Sequence, residues 1–280
     1  MRSKKKAGVS VMTKVNAHSV SEIIIEAGDL LLDFQKKLGE LKVENKPNEG
    51  LVSNADKETE ELLIKKLGDA FADSEFLAEE DSYARKEKKL RSNKLHWLID
   101  PLDGTNNFLS GFDYFSISVA TFFDGRVNHG WVYRPSTKEM FFAEHGIGSS
   151  YTVNGVDQGK IKISDVSLSS SMLTTGFCVE KGQEFDKEFE IFKSVMRKCR
   201  GVRRLGSAAL DLCYSATGPW NGFWERGLSP WDVAAGALFV LESGGVVTNY
   251  QGEKFSPFDS SIVASSQSAH ADFIKLIGKN

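Results

Sequence analysis

One short stretch decides how this chain is interpreted: Trp97-Leu98-Ile99-Asp100-Pro101-Leu102-Asp103-Gly104-Thr105. Its apolar start predicts a buried strand that delivers Asp100 to its carboxyl end, because Pro101 lacks a backbone N–H and fixes its own φ. Asp103 follows across a predicted turn, so that both carboxylates can converge on one point. Together with the carbonyl oxygen of Leu102, they form a ligand set that suits hard cations such as Mg²⁺ or Ca²⁺.

The end of the same stretch is suited to an anion. Gly104 lets the backbone approach a ligand closely. If Thr105 begins a short helix, the free amides of the first turn would hold a phosphate. A tight surface turn is the alternative, and Asp-Gly alone favours it. The whole string, placed after an apolar strand, favours a shared metal and phosphate site.

Acidic residues at three other places are candidates to complete this cluster. Asp56 begins a predicted helix, where it could equally be an N-cap or first-turn acid. Glu79 opens the run Glu79-Glu80-Asp81, which in isolation is more typical of a solvated loop. Asp232 follows Pro230 at the start of an apolar helix, where an acid also compensates the helix dipole. Each signal is weak by itself.

The pattern of apolar residues predicts two halves of different organisation, and therefore an α/β (α+β) fold. In the first half, an amphipathic helix over 20–41, a polar loop around Lys46 and a helix from about Asp56 precede a mostly antiparallel sheet. Its strands are expected at 76–78, 95–100, 115–123, 127–133, 140–143 and 151–153, with hairpin turns at Asp124-Gly125 and Asn154-Gly155. The second half alternates strands at 172–175, 223–225, 246–250 and 262–265 with helices near 185–196, 207–216, 231–243 and the C-terminus.

Composition narrows the function classes. The chain has 280 residues and a formal net charge of -3, unlike the strongly basic domains that bind nucleic acid. Three cysteines, Cys178, Cys199 and Cys213, do not form a disulfide framework and favour a reducing, cytoplasmic setting. The basic start is followed by no long apolar segment, so neither a signal peptide nor a membrane span is expected.

The motifs resemble those of the inositol monophosphatase family. Residues 97–105, continued by Asn106-Asn107-Phe108, are similar to its first signature. Trp231-Asp232-Val233-Ala234-Ala235-Gly236, ending in Glu242-Ser243-Gly244-Gly245, is similar to the second. The resemblance runs from about Val20 to the C-terminus. It implies a layered αβαβα sandwich of the sugar-phosphatase type, with residues 11–152 as a metal- and phosphate-binding half and 153–280 as a substrate-binding half.

The resemblance also implies an activity and a set of residue roles. The activity would be a lithium-sensitive, Mg²⁺-dependent hydrolysis of a small polyol phosphate monoester such as inositol 1-phosphate, with two or three metal ions. Implied metal ligands are Glu79, Asp100, Asp103, Asp232 and the carbonyl of Leu102. Implied catalytic residues beside the attacking water are Asp56, Thr105 and Glu79. Implied substrate contacts are Gly104 and Thr105 to the phosphate, and Ala208, Glu225 and Asp232 to the alcohol.

The sequence leaves some residue roles and some alternative functions open. The chain has Ala78-Glu79-Glu80 where the family usually has Gly-Glu-Glu, and Lys46 is a candidate without an assigned role for a lysine usually found upstream of Asp56. Without the resemblance, Glu225 could equally be a surface residue at a strand end. A nucleotide 3'-phosphate, histidinol phosphate or fructose bisphosphate are alternative substrates. A regulatory protein that binds RNA or RNA polymerase is the alternative outside catalysis. The family suggests a homodimer.

Overall fold

Two β-sheets form the framework of the protein, which is described here from a computed structural model covering residues 15–46, 50–81, 90, 93–177 and 183–278. The first sheet has the strand order β3-β4-β5-β6-β7-β8-β9. Its strands are β3 Glu75–Ala78, β4 His96–Asp103, β5 Ser116–Phe123, β6 Arg126–Arg134, β7 Glu139–Glu144, β8 Gly148–Val153 and β9 Val156–Asp157. Only the β3–β4 pair is parallel within this described sheet, so the predicted antiparallel first half is confirmed.

The second sheet is mixed, as the alternation of elements predicted. Its order is β11-β10-β12-β14-β13, and both β11 and β12 run parallel to β10. The strands are β10 Met172–Thr175, β11 Gly201–Arg203, β12 Gly222–Arg226, β13 Val246–Thr248 and β14 Ser261–Ser265. The helices of the chain are α1 Ala17–Gln35, α2 Asn54–Ala70, α3 Thr105–Leu109, α4 Gln183–Met196, α5 Ala208–Thr217, α6 Pro230–Glu242 and α7 Gln267–Ile277.

Helices and sheets stack in five layers. Helices α1 and α2 pack together on the outer face of the first sheet, where apolar side chains such as Val20, Leu31 and Trp97 are fully buried. Helices α5 and α6 lie between the two sheets, and α6 packs along β4, β5, β6 and β7. Helices α4 and α7 cover the far face of the second sheet. The predicted αβαβα sandwich is therefore confirmed. No helix of the described residues is long and apolar enough to cross a membrane.

Two local predictions about the first half were wrong. The polar stretch around Lys46 is not a plain loop, because Val43–Lys46 (β1) pairs antiparallel with Gly50–Ser53 (β2); residues 47–49 lie outside the described ranges. Helix α1 ends at Gln35 rather than continuing to Leu41. The predicted helix was too long because apolar residues continue at helical spacing beyond Gln35, where the chain forms a short 3₁₀ turn at Leu38–Glu40.

The predicted end of strand β4 at Pro101 was also wrong. β4 continues to Asp103, and its pairing with β5 passes from Asp100↔Ser118 to Asp103↔Ser116 with a shift of register. Pro101 and Leu102 stand opposite the single residue Ile117 in a β-bulge, which accommodates a proline because the ladder is interrupted there. Asp100 and Asp103 are thus separated by a bulge and not by a turn.

Candidate active site

The bulge at the end of β4 holds Asp100 in a fixed orientation. Its Oδ1 accepts a hydrogen bond of 2.9 Å from the backbone N–H of Leu102. Both Asp100 and Asp103 are buried, with 2% and 8% of their surface exposed. A bulge redirects the side chains that flank it, and here it directs two carboxylates toward the layer between the sheets.

Gly104 is required by the backbone at the next position. Its φ is 101°, in the left-handed region, and it is the N-cap of α3. A Cβ atom at this position would lie 3.0 Å from the carbonyl oxygen of Tyr114 and 3.1 Å from that of Gly206. Glycine therefore permits both the conformation and the close approach of two other segments. The prediction that Thr105 begins a short helix is confirmed.

Thr105 is bonded to Asp56 across 49 positions of sequence. The Thr105 hydroxyl lies 2.9 Å from Oδ1 of Asp56 and 3.1 Å from the carbonyl oxygen of Leu102, so it can donate its proton to either acceptor. Oδ2 of Asp56 accepts from the backbone N–H of Ser53 at 2.8 Å and from its hydroxyl at 2.7 Å, in a capping box. Asp56 is therefore a first-turn acid and a partner of Thr105 at once. Burial raises its pKa.

The pairing of β3 with β4 places Glu79 near Asp100. Ala78 pairs with Ile99 in parallel, so Glu79, the residue after β3, lies at the level of Asp100 in β4. Residues 79–81 then form a helical turn. Glu79 and Asp100 interact electrostatically, because after burial the charge of Glu79 contributes most to the raised pKa of Asp100.

Asp103 is held by the start of helix α5. The Ser207 hydroxyl donates to Asp103 Oδ2 at 2.7 Å, and the backbone N–H groups of Ala209 and Ala208 donate to its Oδ2 and Oδ1 at 2.8 and 3.3 Å. Burial raises the pKa of Asp103 to about 6, although these bonds lower it. The site is thus built from both halves of the chain.

Asp232 comes to the same region at the start of helix α6. It occupies the third position of that helix, and its Oδ2 accepts a bond of 2.7 Å from the backbone N–H of Ser229. The Ser118 hydroxyl, on β5 beside Asp100, donates to the carbonyl of Trp231 at 2.8 Å and fixes the helix to the first sheet. Burial, followed by the charge of Asp103, raises the pKa of Asp232 to about 8.

The electrostatics identify these acids as neighbours in one buried pocket. The pKa of Asp100 is raised well above its usual value, first by burial and then by Glu79, Asp103 and Asp232. Carboxylates that are this deeply buried and mutually repelling favour a hard cation with oxygen ligands. Within the described ranges, however, no three or more His, Cys, Asp and Glu side chains already form a group that could hold a metal ion. The fit to Mg²⁺ therefore rests on the chemistry of the donors.

Glu225 and Ala208 lie on the side of the second sheet. Glu225, on β12, is 9% exposed, and burial, followed by the charge of Asp211, raises its pKa to about 8. It is therefore not a solvated residue at a strand end. The carboxylate lies directly against Gly176, where an added Cβ would be 2.1 Å from Oε1. Ala208 is the first residue of α5, beside Asp103.

Three residues near the site were missed by the sequence interpretation: Ser207, Gly176 and Glu60. Ser207 directly precedes Ala208, an implied substrate contact, and this adjacency is the signal that could have found it. Glu60, on α2, accepts the backbone N–H groups of Glu80 and Asp81, each at 2.8 Å. In the sequence it resembles the exposed glutamates of the same helix. Lys46 is the last residue of β1.

Comparison with known proteins identifies the class to which this fold and site belong. The model of the inositol monophosphatase family matches residues 11–280. The chain belongs to the inositol monophosphatase family.

Individual relatives carry two kinds of name. The chain is 34% identical over 252 residues to a putative Nus factor SuhB of Neisseria meningitidis serogroup B, covering 90% of this chain and 93% of the relative. It is 36% identical over 229 residues to an inositol-1-monophosphatase of Mesorhizobium japonicum, covering 81% and 83%. The crystal structure of the extragenic suppressor protein suhB from Bartonella henselae superposes with a TM-score of 0.83 at 30% identity, covering 94% of this chain and 98% of that one.

Proposed function

We propose that this protein is a metal-dependent phosphatase that hydrolyses a small polyol phosphate monoester, with inositol 1-phosphate as the first candidate. The observation that carries the proposal is the hydrogen bond between Thr105 and Asp56 at the edge of a buried acidic pocket. A hydroxyl oriented by a buried carboxylate is suited to position a water molecule. The neighbouring acids supply the charge that a cation would neutralise.

The proposed metal is Mg²⁺, as two or three ions. The residues that would hold it are Glu79, Asp100, Asp103, Asp232 and the carbonyl of Leu102. Bound ions would neutralise the phosphate dianion, favour ionisation of the attacking water and stabilise the leaving oxygen. Family membership supports metal dependence in general, and the buried, oxygen-only donor set is consistent with this particular ion.

The protein groups would act on the water and its proton. Thr105 donates its proton to Asp56 or to the Leu102 carbonyl, so its oxygen can accept a hydrogen bond from the water. Together with Glu79, this orients the water for attack on phosphorus. The new P–O bond forms as the P–O bond to the alcohol breaks. The proton lost by the water returns to the leaving oxygen, so that no phosphorylated residue is formed.

The proposed substrate contacts lie on both sides of the pocket. Backbone amides at Gly104 and Thr105 would hold the phosphate, because the left-handed Gly104 turns its chain into the first turn of α3. Glu225, Asp232 and the start of α5 at Ala208 would face the alcohol. A carboxylate accepts hydrogen bonds from vicinal hydroxyl groups, which is why a polyol is favoured. In this proposal residues 11–152 are the metal- and phosphate-binding half and residues 153–280 the substrate-binding half, which also contributes Asp232 to the metal.

The decisive assay is phosphate release from inositol 1-phosphate with Mg²⁺, with EDTA, and with the Asp100→Asn variant. We expect turnover that EDTA abolishes and Asp100→Asn reduces by at least about 100-fold, since even outer contacts of a metal site cost 10–100-fold. The Asp272→Asn variant, whose side chain is 66% exposed on α7, is the control and should keep full activity. Turnover of histidinol phosphate, fructose bisphosphate or a nucleotide 3'-phosphate instead would mean that the reaction is as proposed but that the substrate is a different phosphate ester.

A second candidate function is regulatory. Several relatives are named Nus factor SuhB, which favours a protein that associates with RNA or RNA polymerase. We propose it as an alternative or an additional role. Binding of a labelled RNA that weakens steeply with salt would support it, whereas the absence of metal-dependent turnover on every monoester would make it the leading candidate.

A homodimer, cytoplasmic location and inhibition by lithium are further proposals that follow from the family.

A further inference from the structure

Glu60 is a buried carboxylate with an unusual pair of partners. It is 4% exposed, and it lies one helical turn after Asp56 on α2. Each of its two oxygens accepts one backbone N–H, Oε2 from Glu80 and Oε1 from Asp81, both at 2.8 Å. These amides belong to the second and third residues of the helical turn 79–81. The first amides of a helix have no partner within it, so Glu60 caps this turn from another helix.

Helix α2 contacts two parts of the proposed catalytic machinery: Thr105 and the segment that follows Glu79. Asp56 and Glu60 project from the same face of α2, because residues four apart lie one above the other. Asp56 orients Thr105, while Glu60 holds the peptide units that directly follow Glu79. β3 fixes the chain before Glu79 through its pairing with β4. The backbone of Glu79 is therefore held on both sides.

We infer that Glu60 is a positioning residue for the proposed metal ligand Glu79, acting through the backbone of Glu80 and Asp81. This inference rests on the proposed function, because it concerns the same metal site. Burial raises the pKa of Glu60 to about 7, and the two amides lower it. A bond to each oxygen is the geometry of the ionised carboxylate, so the test is best made near pH 8.

The substitutions Glu60→Gln and Glu60→Asp separate positioning from simple packing. Glutamine keeps the size of the side chain but has a single acceptor oxygen, so its NH₂ group would oppose one of the two amide donors. Aspartate keeps the charge but is one methylene shorter and cannot reach both amides. Glu139→Gln is a matched control, because Glu139 is a buried glutamate on β7 that accepts a 2.7 Å bond from the Tyr214 hydroxyl, outside the acid cluster.

The measurement is the affinity of the folded, metal-stripped proteins for Mn²⁺, followed by the paramagnetic resonance of the free ion, with thermal unfolding recorded in parallel. We expect both Glu60 variants to bind Mn²⁺ 10–100-fold more weakly than wild type. We expect Glu139→Gln to lower the melting temperature while binding Mn²⁺ normally. The Mg²⁺ concentration needed for half-maximal turnover should rise in the Glu60 variants by a similar factor, with KM for the monoester nearly unchanged.

The outcomes distinguish this inference from the proposed function. Wild-type Mn²⁺ affinity in folded Glu60→Gln, with wild-type protein active as a phosphatase, would overturn the role of Glu60 alone. Equal losses of Mn²⁺ affinity in the Glu60 and Glu139 variants would show that the loss comes from general destabilisation of the protein. This result would also overturn the positioning role of Glu60. Absence of metal-dependent turnover in wild type on every monoester would instead contradict the proposed function.

Discussion

The hydroxyl of Ser207 lies 2.7 Å from Oδ2 of Asp103, and this bond joins residues 104 positions apart in the sequence. Asp103 ends strand β4 of the first sheet, while Ser207 is the N-cap of the helix that packs against the second. This side-chain contact, together with the backbone N–H groups of Ala208 and Ala209, sets the relative position of a proposed metal ligand and of the helix that begins at Ala208. Disturbing it should affect metal binding more than it affects the fold.

Replacing Ser207 with alanine tests that relationship. We expect a 10–100-fold loss of Mg²⁺ affinity, because an outer contact that orients a ligand is removed. Loss of one bond to a buried carboxylate should also cost about 1–3 kcal/mol in the free energy of unfolding. Ser215→Ala is the matched control, since Ser215 is buried in the same helix and donates to the carbonyl of Leu212 instead. Equal Mg²⁺ affinities, measured by calorimetry, in the two variants would contradict the prediction.

The hydroxyl of Thr105 should matter for the chemical step. Thr105→Val keeps the shape but removes the group bonded to Asp56, and we expect kcat to fall by about 10²–10⁴-fold with little change in KM. Thr105→Ser keeps the hydroxyl and should keep most of the activity. Steady-state phosphate release from the preferred monoester is the measurement. A valine variant as active as the serine variant would show that the water is positioned by other groups.

Gly104 should tolerate no side chain. In Gly104→Ala, the left-handed conformation costs about 1–2 kcal/mol, and the new Cβ also presses on the carbonyl oxygens of Tyr114 and Gly206. Gly125→Ala is the control, since its φ of 77° carries a similar strain while an added Cβ meets nothing within 4 Å. We expect Gly104→Ala to unfold at lower urea than Gly125→Ala and to lose at least about tenfold in activity. Identical urea midpoints for the two variants would mean that the backbone around Gly104 accommodates the added Cβ without loss of stability.

His129 predicts a pH dependence that is separate from the site. It is buried on β6 beside Thr121, and burial lowers its pKa from 6.5 to about 4. Its Nε2 lies 3.9 Å from a carboxylate oxygen of Glu144, a contact that opposes this shift. Between pH 6.5 and 4 the unfolded chain binds a proton that the folded chain does not, so stability falls as the pH falls through this window.

The His129→Gln variant isolates that dependence. Its free energy of unfolding should decline less between pH 7 and pH 4.5 than that of wild type, by at most about 1.4 kcal/mol per pH unit in the steepest part. Urea unfolding at closely spaced pH values is the measurement. Parallel curves for the two proteins would mean that His129 keeps an ordinary pKa, stabilised by Glu144.

The elements that the sequence predicted well are those whose signals are local. Asp124 and Gly125 have φ of 52° and 77°, the conformation that an Asp-Gly hairpin turn requires, and β5 and β6 flank them as expected. Helix α6 ends before Gly244, whose φ is 84°. Asp100, Asp103 and Asp232 were predicted as site residues because the two signatures contain them, whereas Asp56 and Glu79 lie outside the signatures and their local signals are weak.

The features that were missed depend on partners far away in the chain. The bulge at Pro101 becomes apparent only when β5 is paired beside β4, because a proline otherwise favours the end of a strand. Glu60 cannot be told from the exposed Glu58 and Glu61 of the same helix until the turn at 79–81 is placed against it. The hairpin of β1 and β2 is mostly polar, so its residues lack the alternation by which a strand is normally predicted.

Asp56 and Asp232 occupy equivalent positions in their two helices, and this placement has a thermodynamic consequence. Each is the third residue of its helix and closes a capping box with a serine, which leaves its carboxylate little rotational freedom. Side-chain entropy is therefore lost when the chain folds and need not be lost again each time a ligand arrives. A substitution chosen only to preserve the helix start, such as serine for either aspartate, would keep the fold and erase this preorganisation.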